Sequence, residues 1–164
     1  EKAGQQNSGS DYVRETYIES DLELLFPPTY IPNDSERISL YRELDNMEEE
    51  RDILAFTERL KDRFGKIPQE GKELIRIVRL RRMAKQLGME KVILKKGQMS
   101  LFLVSNPDSP YYQSAAFDKL IAFLQSHPRE CNLRDQNGKR SIVIKAIPTV
   151  ERACQILQEM IKKP

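Results

Sequence analysis

The sequence predicts an α+β domain in which an N-terminal extended segment and three helices precede β-hairpins and two further helices. Apolar residues recur at helical spacing through the first half of the chain, and after Gly88 they form short strand-like runs. The later order, two strands and a helix repeated once, differs from the strand-helix alternation of a parallel doubly wound sheet. A chain of 164 residues is long enough for one compact domain with its own core.

The N-terminal part is predicted to be extended. Residues 1–11 are polar and rich in Gly and Ser, which is typical of a flexible linker or a frayed end, so the domain itself covers residues 12–164. Tyr12–Phe26 alternates loosely and predicts a half-buried strand. Its candidate buried residues are Val13, Tyr17, Ile18, Leu22 and Leu24. After Pro27 and Pro28 we expect Tyr30-Ile31-Pro32 to continue extended, because the residue before a proline avoids the helical region.

Three helices are predicted next. Asp34 or Ser35 is the expected N-cap of the first helix, and Glu48–Phe64 is the second. Pro68 begins the third helix, which Gly88 ends about 20 residues later. Because Gly65 directly follows the second helix, we expect it to adopt the left-handed conformation. The apolar residues expected to face the core are Ile38, Leu40, Tyr41, Leu44, Ile53, Leu54, Phe56, Leu60, Ile77, Leu80, Ala84 and Leu87.

The second half of the chain predicts two hairpins and two helices. Asn137-Gly138 is the strongest hairpin turn in the sequence, and Lys95–Gln98 is a second turn signal. The predicted elements are strands Val92–Leu94 and Met99–Val104, helix Tyr111–Gln125, strands Cys131–Leu133 and Ser141–Ala146, and helix Thr149–Lys162.

No active site is legible in the sequence. His127 is the only histidine, and next to Pro128 it is expected to be a surface residue at a helix end. Phosphate-binding glycine loops and zinc motifs are absent from the sequence. Cys131 and Cys154 lack metal-ligand spacing; a disulfide between them stays open, although reduced thiols are favoured. The sequence therefore predicts no catalytic residue, no cofactor, no metal and no small-molecule substrate.

The charge pattern leaves two interpretations of one basic segment. The net charge of +2 gives no general attraction to nucleic acid or membranes, and no export signal or long apolar run is present, so a cytoplasmic location is expected. Lys72–Lys96 carries nine basic and two acidic residues. This segment suggests a nucleic-acid-binding module, but no aromatic residue interleaves its cations, and a salt-bridged, solvated helix is favoured. The cations of that alternative are Arg76, Arg79, Arg82, Lys85, Lys95 and Lys96.

The end of the second helix carries an unfavourable charge arrangement. Glu58 and Asp62 lie one turn apart, where like charges repel, and near the negative end of the helix dipole. One interpretation is that Arg59, Lys61 and Arg63 compensate for this charge within the domain. The other is that the helix end presents acid to a basic partner, because departures from local rules tend to mark functional sites.

Three motifs in this order resemble the C-terminal domain of bacterial transcription-repair coupling factors. They are the Tyr30-Ile31-Pro32 segment, the run from Arg37 to Tyr41, and the run from Asp62 to Pro68. The resemblance covers about Asp21–Met89. The motif residues, interpreted as structural, are Tyr30, Ile31, Pro32, Arg37, Tyr41, Phe64, Gly65 and Pro68.

The resemblance implies a regulatory role for a fragment of a longer polypeptide. The parent factors are ATP-dependent DNA translocases that displace stalled RNA polymerase and recruit the A subunit of the UvrABC excision nuclease. Their C-terminal domain, not itself an enzyme, packs on the excinuclease-binding domain of the same polypeptide and masks it. The family's contact surface maps to Asp62, with Glu58, Arg59 and Arg63 beside it. The family acid three positions before Asp62 is Arg59 here, and Glu58 lies one residue away.

Overall fold

The computed structural model describes residues 9–162 and confirms the α+β class. The helices are α1 (Asp34–Asp45), α2 (Glu50–Phe64), α3 (Gln69–Gln86), α4 (Ala115–Ser126) and α5 (Val150–Lys162). The strands are β1 (Tyr17–Ser20), β2 (Lys91–Lys95), β3 (Gln98–Phe102), β4 (Cys131–Gln136) and β5 (Lys139–Ile144). Short 3-10 turns cover Gly9–Asp11 and Pro110–Gln113. The linker prediction for residues 1–8 lies outside the described residues.

The described chain divides into two compact units. The helical unit comprises Glu23–Arg79, and the sheet unit comprises the chain up to Leu22 and from Leu80 onward. Helix α3 contributes its first part to the helical unit and its second part to the sheet unit.

The helical unit has a core built from α1, α2, the first part of α3, the segments between them and the segment before α1. Its buried residues are Phe26, Ile31, Leu44, Ile53, Phe56, Leu60, Ile67, Ile75 and Val78. Two predicted core residues are instead exposed: Ile38 to 49% and Leu54 to 53%. Leu54 follows Ile53 and is therefore turned about 100° away from the buried stripe of α2. Ile77 is half-buried for the same reason, since Ile75 and Val78 occupy the buried side of α3.

The helix termini correct three predictions. The N-cap of α1 is Asn33, because its side-chain oxygen accepts the Glu36 N–H at 2.9 Å. Gly65 ends α2 with a φ of +87°, as expected for a position that favours glycine. The predicted positive φ is confirmed, but the ψ of −162° lies outside the left-handed helical region and in one that is essentially glycine-only. Helix α2 also begins at Glu50 rather than Glu48.

The N-terminal strand is shorter than predicted. Only Tyr17–Ser20 pairs, in parallel with β2, and the pairing ends because β2 turns back after Lys95. Tyr17 is 63% exposed rather than half-buried. Further along, the N–H groups of Tyr30 and Ile31 both donate to the carbonyl oxygen of Pro27, at 2.9 and 3.0 Å. The Tyr30-Ile31-Pro32 segment therefore begins within a tight turn. The prediction that it continues an extended chain is wrong.

Five strands form one mixed sheet in the order β1-β2-β3-β5-β4. Both predicted hairpins are confirmed, and each closes through a two-residue turn. Lys96 and Gly97 have φ values of 54° and 72°, and Asn137 and Gly138 have 55° and 77°. Positive φ at both central residues is the geometry whose twist matches that of paired strands.

Helix α4 begins at Ala115, later than the predicted Tyr111. Pro110–Gln113 forms a 3-10 turn instead, and the Ser114 side chain caps α4 by accepting the Phe117 N–H at 3.2 Å. Tyr111 is buried and donates its hydroxyl to the Leu87 carbonyl oxygen at 2.7 Å. Within residues 9–162, no helix is both long and apolar enough to cross a membrane.

Candidate protein-docking surface

The motif residues of α1 hold the preceding segment by its backbone. Arg37 donates to the Ile31 carbonyl oxygen at 2.7 Å and also pairs with Asp34 at 2.6 Å. The Tyr41 hydroxyl accepts the Phe26 N–H at 3.0 Å. The rings of Tyr41 and Phe26 are stacked, with centroids 5.5 Å apart. Because each side chain satisfies a backbone group beside the core, both act as structural clamps.

Tyr30 caps the C-terminal end of α2. Its hydroxyl donates to the Gly65 carbonyl oxygen at 2.7 Å and lies 3.4 Å from the Leu60 carbonyl oxygen. Its ring contacts Phe64, with centroids 5.6 Å apart. The last carbonyl groups of a helix lack partners within the helix, so this hydroxyl satisfies groups that are otherwise left to water. The Tyr30-Ile31-Pro32 segment thus fixes the helix end that carries Asp62.

An open groove of about 620 Å³ lies between α1 and α2. Leu40, Phe56, Leu60 and Phe64 supply its apolar lining, and Glu36, Arg59, Asp62 and Arg63 supply its charged lining.

Two ion pairs join α1 to α2 beside this groove. Arg63 forms a bidentate pair with Glu36, at 2.7 and 3.0 Å, and Arg59 pairs with Glu43. The hydrogen bond to Glu36 raises the pKa of the Arg63 guanidinium. The guanidinium groups also lie over the rings of Phe56 and Phe64. The structure therefore uses Arg59 and Arg63, two predicted docking residues, to hold the helices together.

Glu58 and Asp62 lie outside the buried stripe of α2, and Asp62 also lines the groove. Both are exposed, and Glu58 makes one long contact with Lys61 at 3.4 Å. Within residues 9–162, Asp62 has no hydrogen-bond or ion-pair partner. The basic residues that were expected to compensate for the acidic charge within the domain therefore form no ion pair with Asp62. Its carboxylate stands in solvent at the negative end of a helix dipole, where a cation from a partner is favourable.

Several cations of the basic segment pair with acids of this chain. Arg79 binds both carboxylate oxygens of Glu50 at 3.0 Å. Arg76 pairs at 3.0 Å with Glu73, and Lys95 lies 3.4 Å from a carboxylate oxygen of Glu19. Cations that already have carboxylate partners contribute less to phosphate binding, which supports the interpretation of α3 as a salt-bridged helix.

The remaining candidate residues have structural surroundings. His127 follows α4, where its ring stacks on Phe123 with centroids 4.0 Å apart. Burial raises the pKa of the Cys131 thiol to about 11, which keeps it protonated and unreactive at neutral pH. Among residues 9–162, no group of three or more His, Cys, Asp or Glu side chains is arranged to hold a metal ion.

Sequence reasoning missed the α1 side of the groove. Glu36, Leu40 and Glu43 recur at a spacing of four and three residues, which is the signal that they share one helix face. No sequence signal joined that face to Arg59 and Arg63, because the ion pairs connect residues on different helices.

The structure defines an α+β domain. Its candidate site is the exposed, charged C-terminal end of α2, which is held in place by Tyr30 and by the ion pairs with α1. The chain belongs to the TRCF domain family, whose family model matches residues 20–114. The predicted resemblance is therefore confirmed.

Similar proteins carry the name transcription-repair-coupling factor. The Escherichia coli K12 protein is 31% identical over 134 residues, which is 80% of this chain and 11% of that protein. The Rickettsia prowazekii protein is 23% identical over 73% of this chain and 10% of its own length. The chain thus spans about a tenth of the length of these curated relatives.

The fold resembles a solved structure with the same family name. The crystal structure of a C-terminal domain of transcription-repair coupling factor matches with a TM-score of 0.73. The match covers 90% of this chain and 92% of the other, at 14% sequence identity. At that identity the likeness concerns the fold.

Proposed function

We propose that this chain is a regulatory docking domain of a transcription-coupled DNA repair translocase. It packs on the domain of the same polypeptide that binds the A subunit of the UvrABC excision nuclease, and it masks that surface. The observation that carries the proposal is the exposed acidic end of α2, where Asp62 has no partner within residues 9–162.

The anchoring of α2 supports a docking role. Tyr30 caps the helix end, and the pair of Arg63 with Glu36 ties α2 to α1. A carboxylate on a fixed helix loses little freedom when it meets a partner cation, so less of the binding free energy is lost to ordering. We expect the acids to meet Lys or Arg side chains of the masked domain.

The proposed contact is suited to release. Interfaces between domains of one chain are more polar than obligate interfaces, and relative motion between such domains is expected. A contact of a few kcal/mol can be overcome by a partner that binds the released state more tightly. Engagement of RNA polymerase by other parts of the longer protein is the proposed trigger.

The enzymatic activity is assigned to the longer protein. The chain spans about a tenth of the curated relatives, and we propose that ATP hydrolysis, translocation on DNA and polymerase binding reside in the rest of a cytoplasmic factor. This chain then affects repair through one intramolecular contact and has no substrate of its own.

Capture of the UvrABC A subunit by the full-length protein tests the proposal. With RNA polymerase absent, Asp62→Lys is expected to increase capture, because loss of one partner of a charge pair buried in the interface costs about 2–5 kcal/mol and releases the masked surface. The sign is informative, since ordinary damage to a binding protein lowers capture.

Asp52→Lys is the matched control. Asp52 lies on the same helix, is exposed, and undergoes the same charge change on a different side of α2. The control is expected to leave capture at the wild-type level. Equal capture by wild type and Asp62→Lys, with unchanged melting temperatures, would refute the proposed role of Asp62.

A further inference from the structure

The two faces of the sheet differ in exposure. One face is buried in the core of the sheet unit through Val92, Leu94, Met99, Leu101, Ile142 and Ile144. On the opposite face, Tyr17 is exposed, and Ile93, Ser100 and Phe102 are half-buried. The residues of this open face all belong to the sheet unit, whereas those that line the groove between α1 and α2 all belong to the helical unit.

One row across the open face carries two aromatic and two basic residues, with the buried Ser141 between them. The strand register places Tyr17 beside Lys91, and Lys91 beside Phe102. The row continues from Phe102 to Ser141 and from Ser141 to Arg134. Because side chains alternate between the two faces of a strand, directly paired residues project from the same face. Residues distant in sequence are thus brought together in one row.

The positive charge of this face is concentrated on β4 and β5. Glu19 neutralises the β1 side by pairing with Lys91 at 2.9 Å and with Lys95 at 3.4 Å. Arg134 and Lys139 are exposed, and neither has an ion-pair partner within residues 9–162. Lys139 lies two residues before Ser141 and therefore projects from the same face.

We propose that this open face binds single-stranded nucleic acid. Sheets with aromatic side chains on an open face bind unpaired bases by stacking, and neighbouring cations bind the phosphates. Here Tyr17 and Phe102 supply the rings, and Arg134 and Lys139 supply the unpaired charge. The acids Glu15 and Glu19 repel phosphate from the β1 edge, so the strand crosses the sheet along this row, with its phosphate contacts at β4 and β5 and its bases on Phe102 and Tyr17. In a duplex the bases are paired and stacked on one another, so they cannot stack on these rings.

Fluorescence anisotropy with the 164-residue chain and a labelled oligothymidine of about 12 nucleotides tests this assignment. Tyr17→Ala is expected to weaken binding about fivefold or more without changing the salt dependence, because it removes stacking alone. Arg134→Gln combined with Lys139→Gln is expected to lower the slope of log K against log salt by about 0.7 for each phosphate contact. Tyr17 is exposed, so its replacement leaves the melting temperature unchanged.

Two controls separate this face from other anionic contacts. Lys85→Gln on α3 removes one positive charge from the basic segment, half the charge loss of the double variant, and is expected to leave binding unchanged. A duplex of the same length and a polyglutamate of similar charge are expected to bind at least about tenfold more weakly, since neither presents free bases. Absence of oligothymidine binding would overturn the proposal, as would equal losses for Lys85→Gln and Tyr17→Ala. Equal affinity for polyglutamate would identify a surface for acidic proteins instead and would also overturn it.

Discussion

Removal of the Tyr41 hydroxyl tests whether the helical unit is held by the clamps described above. In the structure this oxygen accepts the N–H of Phe26, whose side chain is fully buried. Tyr41→Phe keeps the ring stacked on Phe26 but leaves that N–H without its partner. An unsatisfied donor of this kind costs about 1–3 kcal/mol.

Tyr41→Ala removes the ring as well. Stacked aromatic pairs contribute about 0.5–1.5 kcal/mol beyond the area that they bury. Truncation of a fully buried aromatic side chain costs roughly 3–5 kcal/mol. Because Tyr41 is half-buried, we expect the loss of its ring to cost less than that, in addition to the cost of losing its hydroxyl. We therefore expect Tyr41→Ala to be more destabilising than Tyr41→Phe by about 1–3 kcal/mol.

Urea denaturation followed by circular dichroism measures both free energies of unfolding. Tyr17→Phe is the control, because it removes a hydroxyl from a side chain that is 63% exposed, and it is expected to change stability by less than about 0.5 kcal/mol. If Tyr41→Phe unfolds at the same urea concentration as the control, the hydroxyl does not hold Phe26 and the clamp argument is refuted.

Three further changes have defined expectations. Gly65→Ala is expected to cost about 1–3 kcal/mol from backbone strain alone, since a Cβ there meets no atom within 4 Å; an unchanged urea midpoint would contradict the φ and ψ that the structure gives Gly65. Asn33→Ala is expected to lose about 1 kcal/mol in the same assay because it removes the α1 cap; no loss would show that the cap is dispensable. Burial raises the pKa of the Cys131 thiol to about 11. Its alkylation by iodoacetamide at pH 8 should therefore be much slower in the folded chain than in urea. Equal rates would show that the fold does not shield this thiol.

The sequence predicts the helices well because their signals are local. Gly65, Gly88 and the apolar spacing of α2 and α3 bracket both helices within two residues of their observed ends. The cap of α1 was displaced by one residue, since Asn33, Asp34 and Ser35 are all good capping residues and only the observed hydrogen bond to Glu36 distinguishes them.

The parallel pairing of β1 with β2 has no local signal. Tyr17 and Lys91 are far apart in the chain, and parallel strands are joined by a long crossover rather than a turn. The same distance separates Tyr17 from Phe102 on the open face. Sequence reasoning looked for aromatic residues within the basic segment itself and therefore could not detect a row that the sheet assembles.

The docking role of the acidic residues stays a prediction, and the structure describes only where they lie. The repulsion between Glu58 and Asp62 is a property of helical spacing, and both residues are exposed at the end of α2. The role of Arg59 and Arg63 depends on Glu43 and Glu36, which lie on another helix. Spacing along one helix cannot reveal such a partner, so the two arginines were grouped with the docking residues.

The most direct test of the docking proposal is the affinity of the 164-residue chain for the isolated excinuclease-binding domain of the same protein. Isothermal titration at low salt compares wild type with the double variant Glu58→Lys and Asp62→Lys, and with Asp52→Lys as the control. We expect the double variant to bind at least about tenfold more weakly, because charge reversal replaces attraction by repulsion, while the control retains wild-type affinity. Equal affinities for all three chains would contradict docking through the acidic end of α2.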